Sequence, residues 1–324
     1  MRSVKLYKYQ LPMDSGVILR SQRLSEREGW IIELRNGDAV GRGEIAPLPE
    51  FSVESVEQAG KQLQELAQVW QESGLLELNN AFPSVAFGLS MALLELNNEL
   101  PEQGNFTVAP LCSGDPDELI HRLNQMEGQK VAKIKVGMYE AVRDGMVANM
   151  FLEAIPDLML RLDANRGWTP TKAQQFAKYV QPQYRSRIDF LEEPCKTPQD
   201  SLHFAHETGI AIAWDETVRD AGFQVEAQEG VSALVIKPTL VGSVQRCCDL
   251  IEQAHQQGLS VVISSSLESS FGLQQLARFA HWKTPGTVPG LDTISLFKQQ
   301  LEVPWPGSKL PIITLADLEQ PWNI

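Results

Sequence analysis

Apolar and lysine residues alternate through Val131-Ala132-Lys133-Ile134-Lys135-Val136, and this period of two predicts a β-strand with both lysines on one face. Upstream, residues 3–12 and 16–20 read as strands. WIIELRNGDAVGRGEIAP reads as a hairpin turning at Asn36-Gly37-Asp38. The polar segment between them, Ser21 to Gly29 with its neighbours from Val17, predicts a loop carrying Arg20, Arg23 and Arg27. Helical patterns follow over Val53 to Ser73 and Pro83 to Asn97, with Pro83 suited to a first turn. Strands first and helices after make the first hundred residues a small α+β unit.

From about Thr107 the pattern changes to strand, loop and helix, repeated. Expected strand ends are Pro110-Leu111-Cys112, Lys135, Asp163, Glu192, Asp215, Lys237, Ser264–Ser266 and Asp292. Helical stretches fit between them over Ala141–Ile155, Thr171–Val180, Asp200–Glu207, Ser243–Gln257 and Gly272–His281. Intervals the length of one strand–helix unit, without two-residue turns, predict a parallel sheet. Eight such units predict an α/β fold class, a (β/α) TIM-type barrel, with one unit shortened or irregular. The tail Lys309–Leu315 reads as a further strand able to return to the first unit. The division expected is residues 1–100 with the tail at about 300–324, and 101–299 for the barrel.

Composition narrows the partners. The chain has 324 residues, of which 43% are hydrophobic and 21% charged, ordinary for a globular protein with a substantial core. A net charge of −13 disfavours nucleic acid, because phosphate binding needs a basic surface. No apolar run is long enough for a membrane helix, and MRSVKLYKYQLPMDSG has no apolar signal region. The cysteines Cys112, Cys195, Cys247 and Cys248 include no C-x-x-C pair, which predicts reduced packing thiols in a cytoplasmic protein.

In a barrel, side chains at the C-terminal strand ends face one shared pocket. Here those positions carry Lys135, Asp163, Glu192, Asp215 and Lys237, each closing an otherwise apolar strand such as LMLRLD or IAIAWD. Three carboxylates on consecutive strands are a hard, oxygen-only donor set that suits Mg²⁺ better than zinc. With a dication and one small-molecule substrate carboxylate, they leave two negative charges for two protonated lysines to balance. Singly, each residue also has a plain reading: an Asx turn at Asp163, a helix start at Asp215, a solvated strand end at Lys237. Together, at regular intervals, they point to a site. Ser264-Ser265-Ser266 lacks a nucleophile elbow, so either a hydroxyl and N–H cluster for a substrate carboxylate or an ordinary serine-rich loop is expected. Gly41-Arg42-Gly43 lacks the third glycine of a dinucleotide site, and His203 and His206 lack a third metal ligand.

Lys133-Ile134-Lys135, Asp163-Ala164-Asn165, Glu192-Glu193-Pro194, Asp215-Glu216, Lys237-Pro238 and Pro289-Gly290-Leu291-Asp292 resemble the enolase superfamily, in its muconate-lactonizing-enzyme-like branch. Within that branch the chain is most similar to the o-succinylbenzoate synthase family of the shorter proteobacterial type, over nearly its whole length. The resemblance implies that the N-terminal α+β unit and tail form a capping domain. It also implies a Mg²⁺-dependent dehydration of 2-succinyl-6-hydroxy-2,4-cyclohexadiene-1-carboxylate to 2-succinylbenzoate in menaquinone biosynthesis. Implied roles are Lys135 as base, Lys237 as the opposing cation, and Asp163, Glu192 and Asp215 as metal ligands. Lys133, Arg161, Asn165, Ser264, Ser265, Gly290 and Asp292 would contact substrate. Asp292-Thr293-Ile294 breaks the Asp-x-Asp pair of the branch's dipeptide epimerases, which argues against an amino-group substrate. A racemase, epimerase or cycloisomerase of the same fold stays open, as does a non-catalytic binding barrel.

Overall fold

The computed structural model describes residues 1–14, 17–19 and 22–323. The chain divides into two compact units, Met1–Phe106 with Ile236–Ile251 and Ile263–Ile324, and Thr107–Val235 with Glu252–Val262.

The first unit is built on β1 (Arg2–Pro12), β4 (Glu26–Asn36) and β5 (Ala39–Ile45), with the short β2 (Ile18–Leu19) and β3 (Gln22–Arg23) pairing between β1 and β4. The β1–β4 ladder runs unbroken from Arg2↔Asn36 to Pro12↔Glu26, and the expected turn follows at Gly37, with φ 60°. Two helices lie beside this sheet in sequence, α1 (Val56–Ser73) and α2 (Pro83–Leu96). Ser55 caps α1 with a reciprocal Ser55–Gln58 box, so two otherwise orphaned donors are satisfied. The core joins Val4, Leu6, Trp30, Ile32 and Leu34 to Leu63, Trp70, Val85 and Leu89, all buried. Gly41 and Gly43 have a packing role: a Cβ there would lie 2.0 Å from the Ala92 carbonyl oxygen and 1.8 Å from that of Gly88. Their bare backbone lets α2 approach β5.

The second unit carries a seven-stranded parallel sheet in the order β12-β11-β10-β9-β8-β7-β6. Its strands are β6 (Leu111–Cys112), β7 (Lys130–Lys135), β8 (Leu158–Asp163), β9 (Ile188–Glu192), β10 (Ile212–Trp214), β11 (Val231–Ile236) and β12 (Ser260–Ile263). Helices α3 (Pro116–Asn124), α4 (Ala141–Ala154), α5 (Pro170–Lys178) and α6 (Pro198–Thr208) follow β6 to β9 in turn, and a 3-10 turn at Thr217–Arg219 follows β10. Along the chain α7 (Pro238–Val241) and α8 (Val244–Gln256) come after β11 and α9 (Ser270–Lys283) after β12, with α7 and α9 grouped in the first unit. Sequence order matches sheet order throughout, the signature of a singly wound (β/α) barrel. Phe190, Ala213, Ala233, Val235 and Val262 pack as a buried cluster from adjacent strands. At the eighth position the chain makes a single bridge, Ser264↔Gly290, so this unit is the shortened one.

The tail forms a strand at Ile312–Ile313 (β14), which pairs in parallel with Gln300–Leu301 (β13) and is grouped with the first unit, and a further strand, β15 (Glu319–Asn323), joins β1. Helix α3 was not expected, although Asp115 before Pro116 caps it by accepting from the Asp117 N–H. No helix among the described residues is long and apolar enough to cross a membrane, and no disulfide forms among them.

Candidate active site

Register sets the acids side by side. β7 pairs with β8 so that Lys133 lies beside Arg161 and Lys135 beside Asp163; β8 pairs with β9 so that Asp163 lies beside Glu192. Asp215 stands one residue beyond β10. The apolar strands behind them bury all three carboxylates, to 8%, 3% and 2% exposure for Asp163, Glu192 and Asp215. Buried charge is costly unless compensated. Lys133 provides compensation, its Nζ lying 2.8 and 3.0 Å from the Glu192 oxygens and 3.2 Å from Asp163 Oδ2. Burial alone would lower the pKa of this amine. Asp163, Glu192 and Asp215 together outweigh burial and hold its pKa above the usual lysine range. Lys133 therefore stays an ammonium.

No group of three or more Asp, Glu, His or Cys side chains is drawn into a ready metal cage among the described residues. What the site offers instead is three buried carboxylates around one bound cation, the Lys133 ammonium. Oxygen-only donors with this excess of negative charge fit a hard dication such as Mg²⁺. Lys135, on the same strand face as Lys133, is exposed at the end of β7.

The remaining predicted residues fall in two groups. In the second unit, Arg161 is buried and its Nε donates to Asp189 Oδ2 at 2.8 Å, which commits part of its guanidinium to an ion pair. The Asn165 N–H donates to Asp163 Oδ1 at 2.9 Å, so the plain reading of Asp163 as an Asx turn also holds, and that bond orients the carboxylate. In the first unit, Lys237 is the cap residue of α7. Ser264 Oγ donates to the Gly290 carbonyl, and a Cβ on Gly290 would sit 2.9 Å from that hydroxyl. Ser265 Oγ donates to Glu268 Oε2 and accepts from the Leu267 N–H, both at 2.9 Å, and meets the Thr293 hydroxyl. Its hydroxyl holds the turn together. Asp292 is half-buried two residues past Gly290.

The arginine-bearing loop is the clearest correction. Arg20 lies outside the described residues. Arg23 is exposed in β3, but Arg27 belongs to β4 and is 1% exposed. Its guanidinium donates to the carbonyls of Leu267, Pro47, Ala46, Ser266 and Glu28. A donor set spent on backbone cannot grip a substrate. Arg27→Met is expected to cost about 3 kcal/mol or more of stability through orphaned buried carbonyls. Urea unfolding beside a KM measurement checks this: a raised KM at unchanged stability would instead place Arg27 against the substrate.

Sequence reasoning missed two buried acids. Glu268 accepts from Thr239 Oγ1 at 2.7 Å and from the Ser266 N–H at 2.6 Å. Glu193 accepts from the Asp215 and Thr217 N–H groups, at 2.9 and 2.7 Å. The signals available were an acid set inside SSSLESS and a doubled acid before Pro194, neither of which has a mechanism until neighbours are known.

Residues 1–96 match the family model "MenC, N-terminal domain", and residues 117–297 match "Enolase C-terminal domain-like". The chain is 68% identical to the o-succinylbenzoate synthase of Aliivibrio salmonicida (strain LFI1238), over 100% of both chains. The chain belongs to the o-succinylbenzoate synthase family. The family's member in Photorhabdus laumondii subsp. laumondii is 61% identical, again over the full length of both. Among solved structures, the o-succinylbenzoate synthase from Thermosynechococcus elongatus BP-1, complexed with Mg in its active site, matches with a TM-score of 0.72 at 22% identity. The match covers 96% of this chain and 95% of that one. The L-Ala-D/L-Glu epimerase from Bacillus subtilis matches with a TM-score of 0.73 at 18% identity, covering 91% and 90%. At such identities these two structures share the enolase-superfamily fold, a (β/α) barrel with an N-terminal α+β domain.

Proposed function

We propose that the chain is a carbon–oxygen lyase that dehydrates 2-succinyl-6-hydroxy-2,4-cyclohexadiene-1-carboxylate to 2-succinylbenzoate, a small-molecule reaction of menaquinone biosynthesis carried out in the cytoplasm. The observation that carries the chemistry is the register Lys135–Asp163–Glu192, a lysine abreast of two buried carboxylates. The choice of dehydration over epimerisation rests on full-length identity to relatives named for that product.

Asp163, Glu192 and Asp215 would hold Mg²⁺. Bound there, the metal would supply positive charge for the substrate carboxylate as the adjacent C–H bond breaks. Lys135 takes that proton from C1. It then returns a proton to the hydroxyl on C6 from the same face, so the C6–O bond breaks, water leaves and C1=C6 completes the aromatic ring. Lys237 remains protonated and stabilises the ene-diolate and the ring face. Lys133, already an ammonium against Glu192 and Asp163, offsets their buried charge and holds them at fixed separation. Ser264, Ser265, Gly290, Asn165, Arg161 and Asp292 would border the substrate.

The test supplies the cyclohexadiene substrate to the purified chain and follows 2-succinylbenzoate by absorbance, with Mg²⁺ and after chelation. Metal-dependent product formation is expected. Epimerisation of acylated amino acids without aromatic product would overturn the assignment in favour of a racemase, and no turnover of either would leave a binding barrel.

A further inference from the structure

The three acids assigned to the metal leave three adjacent strands, and a fourth carboxylate, which takes no part in the proton transfers, ties those strand ends together. Glu193 is 1% exposed. Its Oε1 accepts from the N–H groups of Asp215 and Thr217, and its Oε2 accepts from Thr217 Oγ1 at 3.0 Å and from Arg166 Nε. Arg166 closes the ring by donating from Nη2 to Thr217 Oγ1 at 2.7 Å.

The Glu193 backbone is used just as fully. Its N–H donates to the Ala213 carbonyl in β10, and its carbonyl accepts from the Arg166 N–H beyond β8. Every polar group of this residue therefore bridges β9 to the ends of β8 or β10. It does so from an unfavourable conformation: φ is +28° at Glu193, and the facing Asn165 and Arg166 stand at +45° and +55°. Such left-handed non-glycine backbone persists only where the surroundings determine it. The turn lets consecutive residues serve different ends, Glu192 reaching Lys133 and Glu193 reaching Asp215.

We propose that Glu193 is a positioning residue for the metal site, setting the separation of Asp163, Glu192 and Asp215 without itself binding the ion. The proposal rests on the assignment of those three acids as Mg²⁺ ligands. A carboxylate clamp on the backbone of one ligand, adjacent in sequence to a second and bonded to the turn that follows the third, controls all three at once. Partners of this kind usually change metal affinity by 10–100-fold when removed. Glutamine keeps one acceptor oxygen but presents an amide N–H₂ to the Arg166 guanidinium and cannot accept from it.

The experiment is calorimetric titration of Mg²⁺ into the full chain without substrate, alongside thermal unfolding of the metal-free protein. Glu193→Gln is expected to weaken Mg²⁺ binding by about 10–100-fold while leaving a folded protein. Thr217→Val, which removes only the hydroxyl shared by Glu193 and Arg166, is expected to weaken it several-fold and serves alone if Glu193→Gln does not fold. A folded Glu193→Gln, or in its absence Thr217→Val, that binds Mg²⁺ as tightly as the parent overturns the proposal and leaves the ligand assignment standing. A parent chain that binds no Mg²⁺ overturns both.

Discussion

Lys135→Arg is expected to be as inactive as Lys135→Ala, with turnover reduced about 10²–10⁴-fold, the usual contribution of general acid–base catalysis. The proposed base must lose and regain a proton within each turnover, and arginine cannot deprotonate near neutral pH. Lys135 is exposed at the end of its strand, so neither substitution disturbs packing, and circular dichroism should be unchanged. Lys237 has different work. It need only stay positive, so Lys237→Arg is expected to keep clearly more activity than Lys237→Ala, although the planar fork fits a lysine site imperfectly. A pair of equal bases, as racemisation requires, would instead fail with arginine at either position. Steady-state kinetics with saturating Mg²⁺ decide the matter. Surviving turnover in Lys135→Arg would move the base to another residue, and equal inactivity of the two Lys237 variants would remove the asymmetry.

The positions of the charged strand ends were readable because two periodicities coincide there. Alternation places Lys133 and Lys135 on one face, and the recurring strand–helix interval places Asp163, Glu192 and Asp215 at equivalent points of successive units. Neither signal depends on tertiary contacts. Arg27 shows where such reading stops. Polar neighbours made its segment look like a loop, yet the β1–β4 ladder extends to Pro12↔Glu26 and takes Arg27 into the interior. Strand pairing is a long-range property, and local polarity does not report it. Strand β15 was missed for a related reason: EQPWN pairs with β1 despite containing a proline, a residue that locally argues against a strand. Glu193 was invisible because its role lies in four acceptor contacts to residues that are 22 to 27 positions away. The glycine pair Gly41 and Gly43 was recognised as unsuited to a dinucleotide, but its reason, the close approach of α2, needed the packed helix.

Asp163→Asn, Glu192→Gln and Asp215→Asn are each expected to abolish turnover and to reduce or remove the rise in melting temperature that Mg²⁺ gives the parent, since an ion that binds only the folded state stabilises it by mass action. The same charge balance makes an opposite prediction for Lys133. In the metal-free protein its ammonium is the cation held between Glu192 and Asp163. Lys133→Met removes that cation and leaves the buried carboxylates facing one another. Breaking a fully buried pair costs about 3–5 kcal/mol; Lys133 retains 20% side-chain exposure, so the loss here should fall toward the low end. Mg²⁺ would then restore charge that the variant lacks, so the metal-induced rise should be larger in Lys133→Met than in the parent, whereas the three acid variants show a smaller one. Differential scanning calorimetry, with and without a chelator, separates these cases. If Lys133→Met were as stable as the parent without metal, or gained less from Mg²⁺, the carboxylates would not be the shared anionic seat of lysine and metal, and the ligand assignment would have to be rebuilt from other residues.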